Sequence, residues 1–161
     1  MNRCTVIIAT TLLGLAITAP QAAFAQSINP WIGTWNTNLA KSTYSPGPPP
    51  RSQILTIQAE GQGHRLTVET INAEGNPVKL VLVRPHEDGK PYPVMGVAAF
   101  DAEAFKTVND STVWIIRTKD GKIVSTVVSV MSADGKSYTD TVTGVNQNGQ
   151  PFYNVVVREK Q

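Results

Sequence analysis

Val113-Trp114-Ile115-Ile116 and the run Ile123–Met131 stand on either side of Asp120-Gly121. β-Branched and aromatic residues dominate both runs, and such side chains suit a pleated, half-buried surface. Asp-Gly between them suits a hairpin, because both central residues of a type I′ turn need positive φ. This stretch predicts two antiparallel strands joined by a tight turn. The fold is read outward from it.

The same theme recurs from Arg51 to the C-terminus. Gly61-Gln62-Gly63, Glu74-Gly75-Asn76-Pro77, Asp88-Gly89, Asp134-Gly135 and Asn148-Gly149 punctuate short β-prone runs. Leu55, Ile57 and Ala59 share one face of Ser52–Glu60, and Leu66 and Val68 alternate with Arg65, Thr67 and Glu69. Val78, Leu80 and Leu82 alternate with Lys79 and Val81, and Tyr153–Val157 forms a last apolar run. A first strand is expected at Thr34–Asn38. Ala98–Lys106 has no clear cap and reads as a loop or brief helical turn. Lys41–Pro50, with its four prolines, reads as a stiff extended loop. Strands that follow one another through tight turns make a meander, and closure removes its exposed edges. The expectation is an all-β, antiparallel up-and-down meander barrel of about 8–10 strands, with a β-sandwich as the alternative.

The N-terminus reads as a secretory signal. Arg3 precedes an uncharged, mostly apolar run from Val6 to Ala19, followed by Pro20 and by Ala23-Phe24-Ala25. The run is shorter than a span needs and is interrupted by Thr10, Thr11, Gly14 and Thr18. Residues 1–25 are therefore read as a signal peptide cleaved between Ala25 and Gln26. That leaves 26–161 as a single domain in the periplasm or outside the cell, with no membrane span. Cys4, the only cysteine, leaves with the signal. Disulfides, cysteine–zinc sites and thiol nucleophiles are then excluded. Loss of Arg3 from 14 basic residues leaves 13 against 12 acidic, a net charge of +1, with no basic block to favour nucleic acid.

Catalytic signals are sparse. His64 follows Gly63, and His86-Glu87-Asp88 lies at another turn; adjacent turn residues point apart, so a solvated turn is preferred to a metal site. There is no Gly-x-Ser-x-Gly elbow and no phosphate-cradling loop. Glu60, Glu69, Glu74, Asp101, Glu103 and Asp140 are read as lying at turns or on polar faces. No cofactor, metal or catalytic residue is expected. Aromatic residues say more. Trp114, Tyr92, Phe105 and Tyr138 are candidates to line a ligand cavity, entered beneath the Lys41–Pro50 loop, although core filling is the plainer role for Trp114.

Pro30-Trp31-Ile32-Gly33-Thr34-Trp35 resembles the opening of lipocalin-like (calycin) barrels, where Gly-x-Trp starts the first strand. Gly33 to Ser52, with Gly-Thr-Trp, Ala-Lys-Ser, Pro-Gly-Pro and Arg-Ser, is similar to small bacterial secreted proteins of that type. The resemblance implies a barrel-closing pair of Trp35 with Arg158, the basic residue after Val155-Val156-Val157. It also implies that Lys41–Pro50 overhangs the mouth. Tyr138-Thr139-Asp140 departs from the family's Thr-Asp-Tyr order.

Together these features imply an exported, monomeric barrel binding a small, mainly apolar molecule. One alternative is a filled-core module that binds an envelope protein or polysaccharide through its surface. An enzyme using acidic residues inside the barrel is the less favoured one. A connected interior cavity of ~300 Å³ or more would separate pocket from packed core.

Overall fold

The computed structural model describes residues 29–161, and the signal peptide and its Ala25–Gln26 junction lie outside them. Ten strands follow one another in the chain. They are β1 (Gly33–Ser45), β2 (Ser52–Glu60), β3 (Gly63–Ile71), β4 (Pro77–Arg84), β5 (Asp88–Pro93), β6 (Ala102–Asn109), β7 (Thr112–Lys119), β8 (Lys122–Met131), β9 (Ser137–Val145) and β10 (Pro151–Lys160). No helix forms among the described residues. All strands join one antiparallel sheet in the order β4-β3-β2-β1-β10-β9-β8-β7-β6-β5. The first and last strands pair, so the sheet curls into a nearly closed up-and-down barrel. This is the all-β architecture that the turn rhythm and the lipocalin-like resemblance imply.

The central hairpin has the expected turn. Lys119 faces Lys122, and Asp120 (φ 51) and Gly121 (φ 74) both take positive φ between them. Asp88-Gly89 differs. It lies inside β5 next to a register shift, not at a hairpin tip.

Two further boundaries differ from the sequence reading. β1 continues through Ser45, so Lys41–Ser45 is strand and the loop shrinks to the prolines that follow. A register shift between Asn38 and Thr43 makes this possible. There the Asn38 side chain accepts from the Lys41 N–H at 3.1 Å, and Ser42 Oγ accepts from the Val157 N–H at 3.0 Å. Side chains thus replace the missing ladder partners of the bulge. Ala98–Lys106 is not a helical turn either. Its second half starts β6, where Glu103 and Phe105 point inward with the two-residue period of a strand.

The barrel is open between β4 and β5. Val94 N–H donates to Asp101 across the β5–β6 side at 2.7 Å. Side-to-side alternation then turns the nitrogens of Pro91 and Pro93 toward β4, where they offer no donor. The prolines explain why this ladder does not close. Inside, one apolar cluster surrounds Trp35 with Leu55, Leu66, Leu82 and Tyr138, and a second joins Phe105, Val113, Ile115 and Val127.

Candidate functional site

Between the two apolar clusters lies a cavity of about 220 Å³. Its wall is mixed. Leu55, Leu66, Val113 and Val127 supply apolar surface, while Arg84, Arg158, Glu87 and Asp140 also reach it. The volume falls below the ~300–1,000 Å³ of pockets for drug-sized ligands, so the interior is partly packed core and partly void.

Two polar networks cross the apolar walls. The first spans the β4–β5 gap. Glu103 receives Arg84 Nε at 2.6 Å and Arg117 Nε at 2.8 Å, one on each carboxylate oxygen. Arg84 Nη1 lies 3.1 Å from His64 Nε2, and His64 Nδ1 lies 2.9 Å from Glu87 Oε1. A guanidinium can only donate, so His64 Nε2 accepts and the ring proton sits on Nδ1, donating to Glu87. Thr107 also donates to Glu87. The chain of contacts thus ties β3 and β4 to β6 and β7 where no backbone ladder does. Only a cleft of about 10 Å³ remains beside the gap, lined in part by Tyr92, His86 and Phe105.

The second network joins β8, β9 and β10 to β1 and β2. Arg158 Nε donates to Asp140 at 2.8 Å, and its Nη1 donates to Thr37 Oγ1 at 2.6 Å and Gln53 Oε1 at 3.0 Å. Ser129 donates to the other oxygen of Asp140. Burial works against the charge on Arg158, but Asp140, with Tyr138 and Tyr44, outweighs it and holds the guanidinium's pKa above its ordinary value. Burial, reinforced by Asp140, pushes the Tyr138 hydroxyl far above the phenol range.

Burial would raise Glu103, yet Arg84 and Arg117 together hold its carboxyl below the usual range. The hydrogen bond from His64 holds Glu87 low, against burial, with Thr107 and Arg84 helping. Both carboxylates have folded pKa values below their unfolded ones. Their contribution to stability is therefore complete above the ordinary carboxylate pKa and is lost as pH falls through the depressed values. Urea midpoints measured at stepwise lower pH are expected to be flat near neutrality and to drop below the ordinary carboxylate range. Glu87→Gln should make that drop shallower. An unchanged acid slope would show that Glu87 is not among the groups responsible.

The sequence candidates separate clearly. Phe105 and Tyr138 line the cavity. Phe105 meets the His64 ring edge-on at 4.7 Å and lies under Arg84, also at 4.7 Å. Tyr138 packs edge-on against Trp31 at 5.2 Å and Trp35 at 4.7 Å. Trp114 does not reach the interior; it is 53% exposed on the outer face of β7, because Val113 and Ile115 take the inward positions. Tyr92 stands at the gap and donates to Asp88 Oδ2 at 3.1 Å, outside the main cavity. No residue of Lys41–Pro50 lines the cavity, so the proposed entrance beneath that loop is not where the void lies.

The barrel-closing pair is also corrected. Register sets Trp35 opposite Lys160 and Thr37 opposite Arg158. Lys160 Nζ therefore sits 5.0 Å above the indole, while Arg158 is drawn inward to Asp140. Trp35 is fully buried, and its Nε1 donates to Trp31 O at 2.9 Å. The exposed cation over the ring adds about 0.5–1 kcal/mol.

His64, Glu103 and Asp140 also lie elsewhere than the sequence reading placed them. His64 lies in β3 and is buried, not in a turn; Glu103 and Asp140 are buried among apolar side chains. Among the described residues no group of three or more His, Cys, Asp or Glu side chains is arranged to hold a metal ion.

No protein-family model matches this chain, and no curated protein does. Among solved structures the chain is similar to zebrafish ileal bile acid-binding protein complexed with cholic acid. That match has a TM-score of 0.46 and 12% sequence identity, and covers 82% of this chain and 99% of the other.

Proposed function

We propose that the protein is exported and that its barrel holds a small, mainly apolar molecule carrying one hydrogen-bond acceptor. The observation that supports this reading is the interior void with its mixed wall. A fully packed barrel would bury its arginines in side-chain contacts alone, whereas Arg84 and Arg158 border open space here. Arg84 Nη2 is buried without an acceptor, and such an orphaned donor is costly unless a partner arrives. The small void favours a compact ligand over a long one. Export rests on the Arg3, Val6–Ala19 and Ala23-Phe24-Ala25 pattern.

Trp31 lines the cavity, so its emission is the natural reporter. Trp114→Phe removes the signal from the exposed indole and should leave the response intact. Titration with a medium-chain fatty acid, an isoprenoid alcohol and an aromatic dye is expected to give a saturable change with at least one class. Val113→Phe, which adds bulk at the void, should abolish that change while far-UV circular dichroism stays the same. No saturable response with any of the three would defeat the reading.

A further inference from the structure

Val94-Met95-Gly96-Val97-Ala98-Ala99-Phe100 joins β5 to β6 without one polar side chain. Phe100 is buried, and Arg117 lies over its ring at 4.8 Å, which ties the loop to β7. Met95 stands 87% exposed, and Ala98 and Ala99 are exposed as well. An exposed apolar run of this length is a fault in a connection unless something contacts it. The loop borders a cleft of about 750 Å³ that opens to solvent. In this up-and-down order the β5–β6, β7–β8 and β9–β10 connections share one end of the barrel. The cleft lies among them, with Ala99 and Phe100 on one side, Lys119 on the second, and Asn146 and Phe152 on the third. It is separate from the interior void. Arg117 is the one described residue that lines both, and Glu103 and the Phe100 ring hold its guanidinium between them.

We infer that this cleft is a second binding site, for an organic anion with a flat apolar body. Arg117 and Lys119 both line it, and among the described residues no aspartate or glutamate does. Arg117 Nε donates to Glu103 at 2.8 Å, while its Nη1 and Nη2 meet no acceptor among the described residues. The planar head is thus held in place with its terminal donors unused, an arrangement that suits carboxylate, sulfonate or phosphate oxygens. Lys119 Nζ stands 3.9 Å from Asp101 Oδ2, beyond hydrogen-bond reach. That oxygen already accepts from the Asp120 N–H at 2.9 Å. Both cations therefore keep donors for a ligand.

The apolar half of the ligand is set by the other walls. Phe152 pairs with Gly144 across β9 and β10, and a Cβ at 144 would come 2.9 Å from Phe152 Cζ. Glycine is what lets the ring lie against β9. Phe152, Phe100 and the loop alanines then offer aromatic and aliphatic surface to a flat body. A simple inorganic anion would leave that surface uncovered. An uncharged apolar molecule would strip water from Arg117 and Lys119 and give them no acceptor, which is costly. The volume falls within the ~300–1,000 Å³ of sites for drug-sized ligands. Benzene fills a cavity of ~150 Å³, so the 220 Å³ void admits about nine heavy atoms by the same measure. A larger anion fits the cleft and not the void, so the two readings stand or fall separately.

Anilinonaphthalene sulfonate, with roughly 20 heavy atoms, is too large for the void and tests the cleft. Fluorescence titration of the folded protein should show saturable binding of a single dye per chain, weakening as salt rises. Phenylnaphthylamine, the same body without the sulfonate, should bind about tenfold more weakly or worse. Lys119→Gln should weaken dye binding by about threefold or more. Ala99→Glu, which brings a carboxylate to the cleft, should weaken it by about tenfold or more, with unchanged circular dichroism. Val113→Phe, which fills the void, should bind the dye like the wild type. The inference is overturned if dye binding does not saturate, or if the uncharged analogue binds as tightly. It is equally overturned if Lys119→Gln and Ala99→Glu both bind like the wild type. Loss of dye binding in Val113→Phe would assign the dye to the void and overturn it too.

Discussion

Replacing Glu103 by alanine is expected to cost about 3–5 kcal/mol of stability, the range for removing one partner of a buried ion pair. The carboxylate is the single anion between Arg84 and Arg117, and its side chain is only 3% exposed. Its loss would leave Arg84 charged in the interior, with its Nη2 already unpartnered. The loss should be larger than for a typical apolar truncation of similar size, because an uncompensated charge adds to the cavity left behind. Urea unfolding followed by circular dichroism gives the number. A double variant, Arg84→Met with Glu103→Leu, should recover most of the loss, since apolar replacement of a buried pair is often neutral. Arg117, 21% exposed, could then turn its head to water. A cost for Glu103→Ala below ~1 kcal/mol, the level of an exposed pair, would mean that water reaches the gap freely.

Gly63→Ala should be nearly as damaging, for a steric reason. A Cβ on Gly63 would lie 1.8 Å from the Arg84 carbonyl oxygen and 2.8 Å from the Pro85 carbonyl carbon. Both obstacles are backbone, so β3 and the end of β4 would have to separate. The expected loss is about 3 kcal/mol or more, at the upper end for overpacked sites. Gly61 provides the comparison. It has φ +61 and meets nothing within 4 Å, so Gly61→Ala should cost only the ~1–2 kcal/mol of a left-handed residue. Equal losses at the two positions would show that the strands part easily there. The clash also displaces His64 and Arg84, so the gap-spanning network should loosen first, seen as faster amide exchange in β3 and β4.

The fold was legible from the sequence because turn chemistry and side-chain period agree over most of the chain. Asp120-Gly121 shows this best: two residues that tolerate positive φ stand between runs that alternate cleanly. Errors arose where polarity conflicted with strand parity. Glu103 shares an inward face with Phe105, Asp140 with Tyr138 and Val142, and Arg158 with Val156. Read by polarity, these residues belong outside. Read by parity, they belong inside, and their opposite charges supply the partners that burial demands. Parity was the informative signal. Trp114 is the mirror case: an aromatic residue expected inside, placed outside because Val113 and Ile115 occupy the inward positions. The gap was also written in the sequence, in the prolines on either side of Tyr92, although aromatic content drew attention there instead.

The seam between the first and last strands has a consequence for the order of folding. Because β4 and β5 share no ladder, the chain consists of two stacks of hairpins, β1–β4 and β5–β10, each built from neighbours in sequence. Their one backbone connection, apart from the covalent link, is the pairing of β1 with β10. That pairing spans nearly the whole described chain, with Trp35 meeting Lys160. The hairpin stacks can assemble early from local contacts, but the barrel cannot shut until β10 is available to pair with β1. Contacts between such distant segments are slow to form, since the entropy of a very large loop must be lost first. The C-terminal strand therefore acts as the latch: until it docks, both halves expose the apolar faces that later enclose the cavity.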